Sequence, residues 1–168
     1  MDLYLIRHAV AFKRDPVQWP NDANRPLRPD GEEIFGAVAR NLADLVPEVE
    51  ALLSSPYARA WRTAEILADE THWPAPGGFL ALEPEVPPGK VFAALGTYEG
   101  LNSLALVGHR PSLHALAAYL LTGSEDGLNI GLKKGGAACL RFEGEPEPGA
   151  AKLRWLLTPK ALLGGGES

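Results

Sequence analysis

Short, mostly apolar runs alternate with longer segments of helical spacing along this chain. Residues 3–6, 50–53, 79–82 and 104–107 have the length and the apolar or β-branched content of buried strands. Between the first two, Pro29, Asp30, Gly31 and the acidic pair Glu32 and Glu33 precede Ile34, Val38, Leu42 and Leu45. A cap, an acidic first turn and steps of four and three predict an amphipathic helix packed through those four side chains. Residues 57–70 are alanine-rich and predict a second helix, packed through Ala60, Ala64, Ile66 and Leu67. Pro87, Pro88 and Gly89 introduce a short helix over 90–95. Pro111 and Ser112 open another over 114–121, and Gly123 stops it.

Two stretches break the alternation. From Ala9 to Asp30 the chain carries Pro16, Pro20, Asn21, Asp22, Asn24, Pro26 and Pro29, a long loop of the kind that more often carries function than merely connects. Near the other end, 137–142 and 152–157 read as two strands joined by a turn-rich 143–149, an antiparallel hairpin at one sheet edge. Strands alternating with helices predict an α/β fold: a three-layer α/β/α sandwich on a mostly parallel sheet. One domain over 1–162 and a disordered glycine-rich tail over 163–168 complete the expectation.

The formal net charge of −5 argues against nucleic acid or an anionic membrane as partner, since both demand a broad basic surface. No apolar run reaches the roughly 20 residues that span a bilayer, and the first residues lack the pattern of a cleaved leader, so a cytoplasmic location is expected. A single cysteine, Cys139, leaves no disulfide and no thiolate metal cluster, and reads as a small core residue of a strand.

In open α/β sheets, ligands sit beyond the carboxyl ends of the strands. The buried runs of this chain end in Arg7 and His8 after the first, Ser54 to Arg59 after the second, and Gly108 and His109 after the fourth. Arginines and histidines gathered at one sheet edge repel one another unless an anion joins them. A phosphoryl dianion fits, because a guanidinium fork donates in parallel to two oxygens. One neutral imidazole could then attack phosphorus in line, while the other, protonated against the phosphate, holds an equatorial oxygen. The neighbouring arginines favour the neutral form of the first.

These segments resemble the histidine phosphatase superfamily, branch 1, the phosphoglycerate-mutase-like group. The likeness rests on Leu5-Ile6-Arg7-His8-Ala9, on Ser54-Ser55-Pro56-Tyr57-Ala58-Arg59-Ala60-Trp61-Arg62-Thr63-Ala64-Glu65, and on Leu106-Val107-Gly108-His109-Arg110-Pro111. The resemblance implies that His8 is the nucleophile that becomes phosphohistidine, and that Arg7, Arg59 and His109 complete the phosphate pocket. Within the superfamily the sequence is most similar to the small bacterial phosphohistidine phosphatases of the SixA type, on Asp22-Ala23-Asn24-Arg25-Pro26-Leu27 and Gly31. That likeness makes Arg25 a further substrate contact, although a loop arginine held by Asp22 is the alternative. Ala9 stands where many members have glycine, and Arg62 where glutamine is commoner.

Only fifty positions separate Arg59 from His109, which leaves little room for the helical lid that larger members carry. An alkoxide leaving group needs a general acid, whereas phosphohistidine releases a weaker base. Acids are available at Glu83, Glu85 and Glu99, with Glu85 best placed after the third apolar run. The resemblance thus implies a phosphatase needing no cofactor or metal, acting on a phosphohistidine protein or a small phosphorylated metabolite. A broad phosphomonoesterase and an idle phosphate-binding module are the alternatives, and oligomeric state stays open. Trp19, Trp61, Trp73, Trp155, His72 and His114 read as packing or surface residues, and Lys133-Lys134 as a solvated basic spot.

Overall fold

The computed structural model describes residues 1–165. Its strands are β1 (Asp2–Arg7), β2 (Ala51–Ser54), β3 (Gly77–Gly78), β4 (Ser103–Gly108), β5 (Ala137–Arg141) and β6 (Lys152–Leu157). They form one sheet in the order β3-β2-β4-β1-β5-β6. The first four run parallel, β5 pairs antiparallel with β1, and β6 antiparallel with β5. The expected three-layer arrangement and edge hairpin are therefore present.

The central strands are buried on both faces, which is why they read as unbroken apolar runs. Strand alternation sends Tyr4 and Ile6 of β1, with Ala105 and Val107 of β4, to one face. There they meet Phe35, Val38 and Leu42 of α1 (Pro29–Leu45) and Ala60, Ala64 and Leu67 of α2 (Ala58–Glu70). Leu3, Leu5, Leu104 and Leu106 face the other side. They pack on Val91 of α3 (Pro88–Leu95) and on Leu113, Leu116 and Leu120 of α4 (Ser112–Thr122). Cys139 is buried in β5, as a core residue should be.

Three expectations are corrected. The face α1 buries runs through Phe35, Val38, Ala39 and Leu42, while Ile34 and Leu45 are 49% and 56% exposed. The third strand is not 79–82: only Gly77 and Gly78 pair with β2, and Leu80–Leu82 is a 3-10 turn. The disordered tail expected over 163–168 does not hold for its first three residues. A short α5 (Pro159–Leu162) precedes them, and the Gly164 and Gly165 amides donate to the Ala161 and Lys160 carbonyls. Residues 166–168 lie outside the described residues. Among the described residues no helix is long and apolar enough to cross a membrane.

Candidate active site

Three neighbouring strand ends carry the polar residues. Parallel pairing sets Arg7 of β1 opposite Gly108 of β4, and Ser54 of β2 opposite Val107. The ladder continues one residue further on each side: the His8 amide donates to Gly108 O at 3.0 Å, and the Ser55 amide to Val107 O at 3.0 Å. Ser55, His109 and His8 thus leave the sheet side by side. The two imidazoles lie 5.3 Å apart between centroids, and His8 and His109 are only 6% and 2% exposed.

Each ring is held from one side. His8 Nδ1 donates to the Ala9 carbonyl at 2.7 Å, so in the neutral ring Nε2 keeps its lone pair. His109 Nε2 shares a 2.8 Å hydrogen bond with Ser55 Oγ, and Tyr57 stands edge-on to its ring. Burial, then the Arg59 and Arg7 charges, push His8 down to about 3 against the partial counterweight of the Ala9 bond. Burial, then His8 and Arg59, push His109 down to about 2. Both imidazoles are neutral in this electropositive pocket. The protonated second imidazole anticipated from sequence requires the anion itself, whose charge reverses the local field.

Arg59 enters on the first turn of α2, where it is 4% exposed and stacks its guanidinium over Tyr57 at 5.2 Å. Its NH1 donates to Asp22 O at 2.9 Å and its NH2 to Asp22 Oδ2 at 3.1 Å. The other oxygen of that carboxylate accepts from Arg25 Nε at 2.8 Å, and Arg25 NH1 donates to Phe12 O. Asp22 is therefore a bridge that folds the long loop over the strand ends and sets Arg25 beside Arg59. The Arg25 hydrogen bond, then the Arg59 charge, hold its carboxyl below the usual range despite partial burial. Arg25 is thus the loop arginine held by Asp22, and the same carboxylate sets it next to Arg59. Arg7 is half-buried at the end of β1, with NH1 on Leu132 O at 3.1 Å.

Among the described residues, the buried side-chain nitrogens without a hydrogen-bond partner are Arg7 Nε, Arg59 Nε and His109 Nδ1. All three belong to this group. Donors concentrated in one place without protein acceptors suit a polyoxygen anion. The surrounding guanidinium charges repel a cation, and no cluster of three or more His, Cys, Asp or Glu suited to a metal occurs among the described residues.

Glu85 is exposed and its amide donates to Ser112 Oγ at 2.8 Å, which ties it to the first residue of α4, three after His109. It is the one non-glycine at positive φ, 69°, among the described residues. Arg62 turns outward to Glu32 and Glu65 and takes no part. Ala9 packs into the core, its amide donating to Thr63 Oγ1, which itself donates to the Arg59 carbonyl. Gly31 is needed because a Cβ there would collide with the Val10 carbonyl, so α1 presses directly on the segment after His8. Trp73 is buried with Nε1 on Val46 O, Trp155 packs on Tyr4, and Trp19 on Phe12.

Sequence reasoning gives no role to Ser55, Thr63 or Lys134. Thr63 was findable, lying four residues from Arg59 on one helix face. Lys134 was not, because only the return of a distant loop brings its charge within reach of His8, Arg7 and Arg25.

The sequence model of the histidine phosphatase superfamily (branch 1) matches residues 3–76. An uncharacterized protein of Picosynechococcus sp. is 37% identical, over 97% of this chain and 99% of its own length. Phosphohistidine phosphatase SixA of Escherichia coli is 31% identical, over 73% of this chain and 76% of its own. The solved structure of the protein histidine phosphatase SixA complexed with tungstate superposes with a TM-score of 0.82 at 26% identity, covering 96% of this chain and 99% of that one. An alpha-ribazole-5'-P phosphatase structure from Escherichia coli shares the fold at 17% identity, TM-score 0.72, over 95% of this chain and 97% of that one. With paired histidines and arginines on this fold, and relatives of that identity along its length, the chain is a phosphatase belonging to the histidine phosphatase superfamily, branch 1.

Proposed function

We propose that residues 1–162 form one catalytic unit that hydrolyses phosphohistidine through a phosphoryl group carried transiently on His8. The observation that carries this reading is the pair of buried, neutral imidazoles at adjacent strand ends, surrounded by guanidinium groups with N–H to spare. The His8 Nε2 lone pair attacks phosphorus, and the P–N bond to the substrate imidazole breaks. Its electron pair stays on that nitrogen, which takes a proton from water. Water then attacks the phosphoryl group on His8, the new P–N bond returns its pair to Nε2, and inorganic phosphate leaves. Arg59, Arg7 and Arg25 neutralise the equatorial oxygens, and His109, protonated once the dianion is bound, donates through Nδ1 to one of them. The likeness to SixA of Escherichia coli and to the tungstate complex, tungstate being a tetrahedral oxyanion like phosphate, supports the reading.

A second reading, a phosphomonoesterase of small metabolites, draws on Glu85. Its left-handed backbone is a strained choice of about 1–2 kcal/mol, and such strain is commonly retained at functional sites. An acid there would serve an alkoxide leaving group and be dispensable for phosphohistidine. The test compares kcat/KM for phosphohistidine peptides with that for sugar and nucleotide phosphates. A preference for the peptides, with an acid-labile ³²P label lost in His8→Ala, is expected. Faster turnover of a sugar phosphate that collapses in Glu85→Gln overturns the first reading in favour of the second. Binding of phosphopeptide without any labelled intermediate points to an idle module.

A further inference from the structure

The loop between α4 and β5 is stitched to the strand end that carries His8. Leu132 O accepts from Arg7 NH1 at 3.1 Å and lies 3.2 Å from His114 Nε2. The Gly135 amide is shared between Arg7 O and His8 O, each at 3.0 Å, and the Arg7 amide donates to Gly136 O at 3.2 Å. The Gly136 amide closes the turn on Lys133 O at 2.8 Å. Its backbone leaves no freedom. Gly135 has φ +73° against Phe35 and Pro159, and a Cβ on Gly136 would lie 2.9 Å from the Leu157 carbonyl oxygen.

Between these anchors, Lys133 and Lys134 are exposed. Lys134 directly precedes the Gly135 amide that is bonded to Arg7 O and His8 O, and burial, then the charges of Arg7 and Arg25, hold its ammonium below the usual lysine range. Arg110, which follows His109 in the chain and whose charge reaches Arg7 and His114, and Arg14, whose charge reaches Asp22, are exposed cations on the same side. None of Lys134, Arg110 and Arg14 is in an ion pair among the described residues. The nearby carboxylates form no ion pair with them: Asp22 is engaged by Arg25 and Arg59, and Glu85, tied through its amide to Ser112, is in no ion pair among the described residues. An acidic protein thus keeps Lys134, Arg110 and Arg14 free of ion pairs around one opening, where each raises the local concentration of anions.

Resting on the phosphatase reading above, we infer that Lys134 binds a carboxylate of the substrate adjacent to the phosphoryl group, so that acidic residues flanking a phosphohistidine are preferred. The buried forks of Arg59 and Arg7 suit the phosphoryl oxygens at the floor. A compact ammonium on a flexible stem at the rim suits a second anion of variable position.

The experiment measures kcat/KM for paired substrates: phosphohistidine peptides with Glu or Gln beside the phosphohistidine, and phenyl phosphate with or without a ring carboxylate. A rim pair in water is worth roughly three- to five-fold in KM, shrinking as salt is added. The wild-type protein should show that ratio, Lys134→Ala should bring it close to one, and Lys134→Arg should keep it. Lys152→Ala, which removes an ammonium paired with Glu143 elsewhere, should leave it intact. A wild-type ratio of one in both pairs, or a ratio that survives Lys134→Ala, overturns the inference. Should only the phenyl phosphates turn over, the phosphohistidine reading fails, and the carboxylate ratio of that pair alone decides the role of Lys134.

Discussion

The two ends of the central strands differ in a way that separates space from chemistry. Beyond the amino ends of β1 and β4 lies a groove of about 430 Å³, walled by Met1, Leu3, Phe92, Tyr98, Leu120 and Phe142. Two charged groups at that end are paired: the Met1 ammonium donates to Phe142 O, and Asp2 takes a two-point bond from Arg141 at 2.7 and 2.8 Å. The carboxyl ends have tightly packed imidazoles and guanidinium groups instead, and the buried donors that the described protein leaves unmatched are there. An apolar hollow is roomy but indifferent, whereas unpaired buried N–H groups are costly unless an anion completes them.

Substitutions at the two ends should separate accordingly. The largest effect is expected for His8→Ala, a fall of at least roughly 10⁴-fold in kcat for an activated aryl phosphate in a protein that still folds. Turnover near that of the wild type would remove the distinction between the ends. Arg59→Ala should cost about 10²–10³-fold in kcat/KM, since one fixed donor to the developing charge is lost and Asp22 is left with Arg25 alone. Steady-state kinetics on the same substrate decide it.

Third comes acid sensitivity. With native pKa values near 3 and 2, His8 and His109 stay neutral where the unfolded chain, near 6.5, binds two protons. Stability from this pair is full above pH 6.5 and is lost progressively as the pH falls toward 3. Going from pH 7.5 to 5.5 should remove about 3 kcal/mol, near 1.4 per imidazole. Urea titrations of the wild type and of His8→Gln/His109→Gln test this, and an unchanged acid slope in the double variant would assign the loss elsewhere. The smallest effect is Phe92→Ala at the opposite groove, about 2 kcal/mol of stability by chemical unfolding with kcat changed less than two-fold.

Much of the strand framework was legible from the chain because burial on both faces writes itself as an apolar run. Residues 3–6 and 104–107 are such runs, and the polar residues that end them, His8 and His109, became the paired imidazoles. The 79–82 run looks the same and is not a strand, because β2 ends at Ser54: its register pairs Gly77 and Gly78, the Phe79 amide takes the last Ser54 carbonyl, and nothing beyond is left to pair. The phase of α1 is ambiguous in the chain for a similar reason. Ile34 and Phe35 both continue a plausible stripe, and only the direction of the sheet selects Phe35.

The sequence by itself determined the α/β alternation, the ends of the central strands and the residue types that could meet an anion, since these depend on local burial and composition. Tertiary structure alone decided that Asp22 bridges Arg25 and Arg59, that Ser55 holds His109, and that Lys134 returns to the mouth from a loop more than a hundred residues beyond His8. Apart from the local Asp22–Arg25 pair, those are contacts between segments far apart in the chain, and no local propensity encodes them. They arise from parallel registers and packed helices that bring distant side chains to one level.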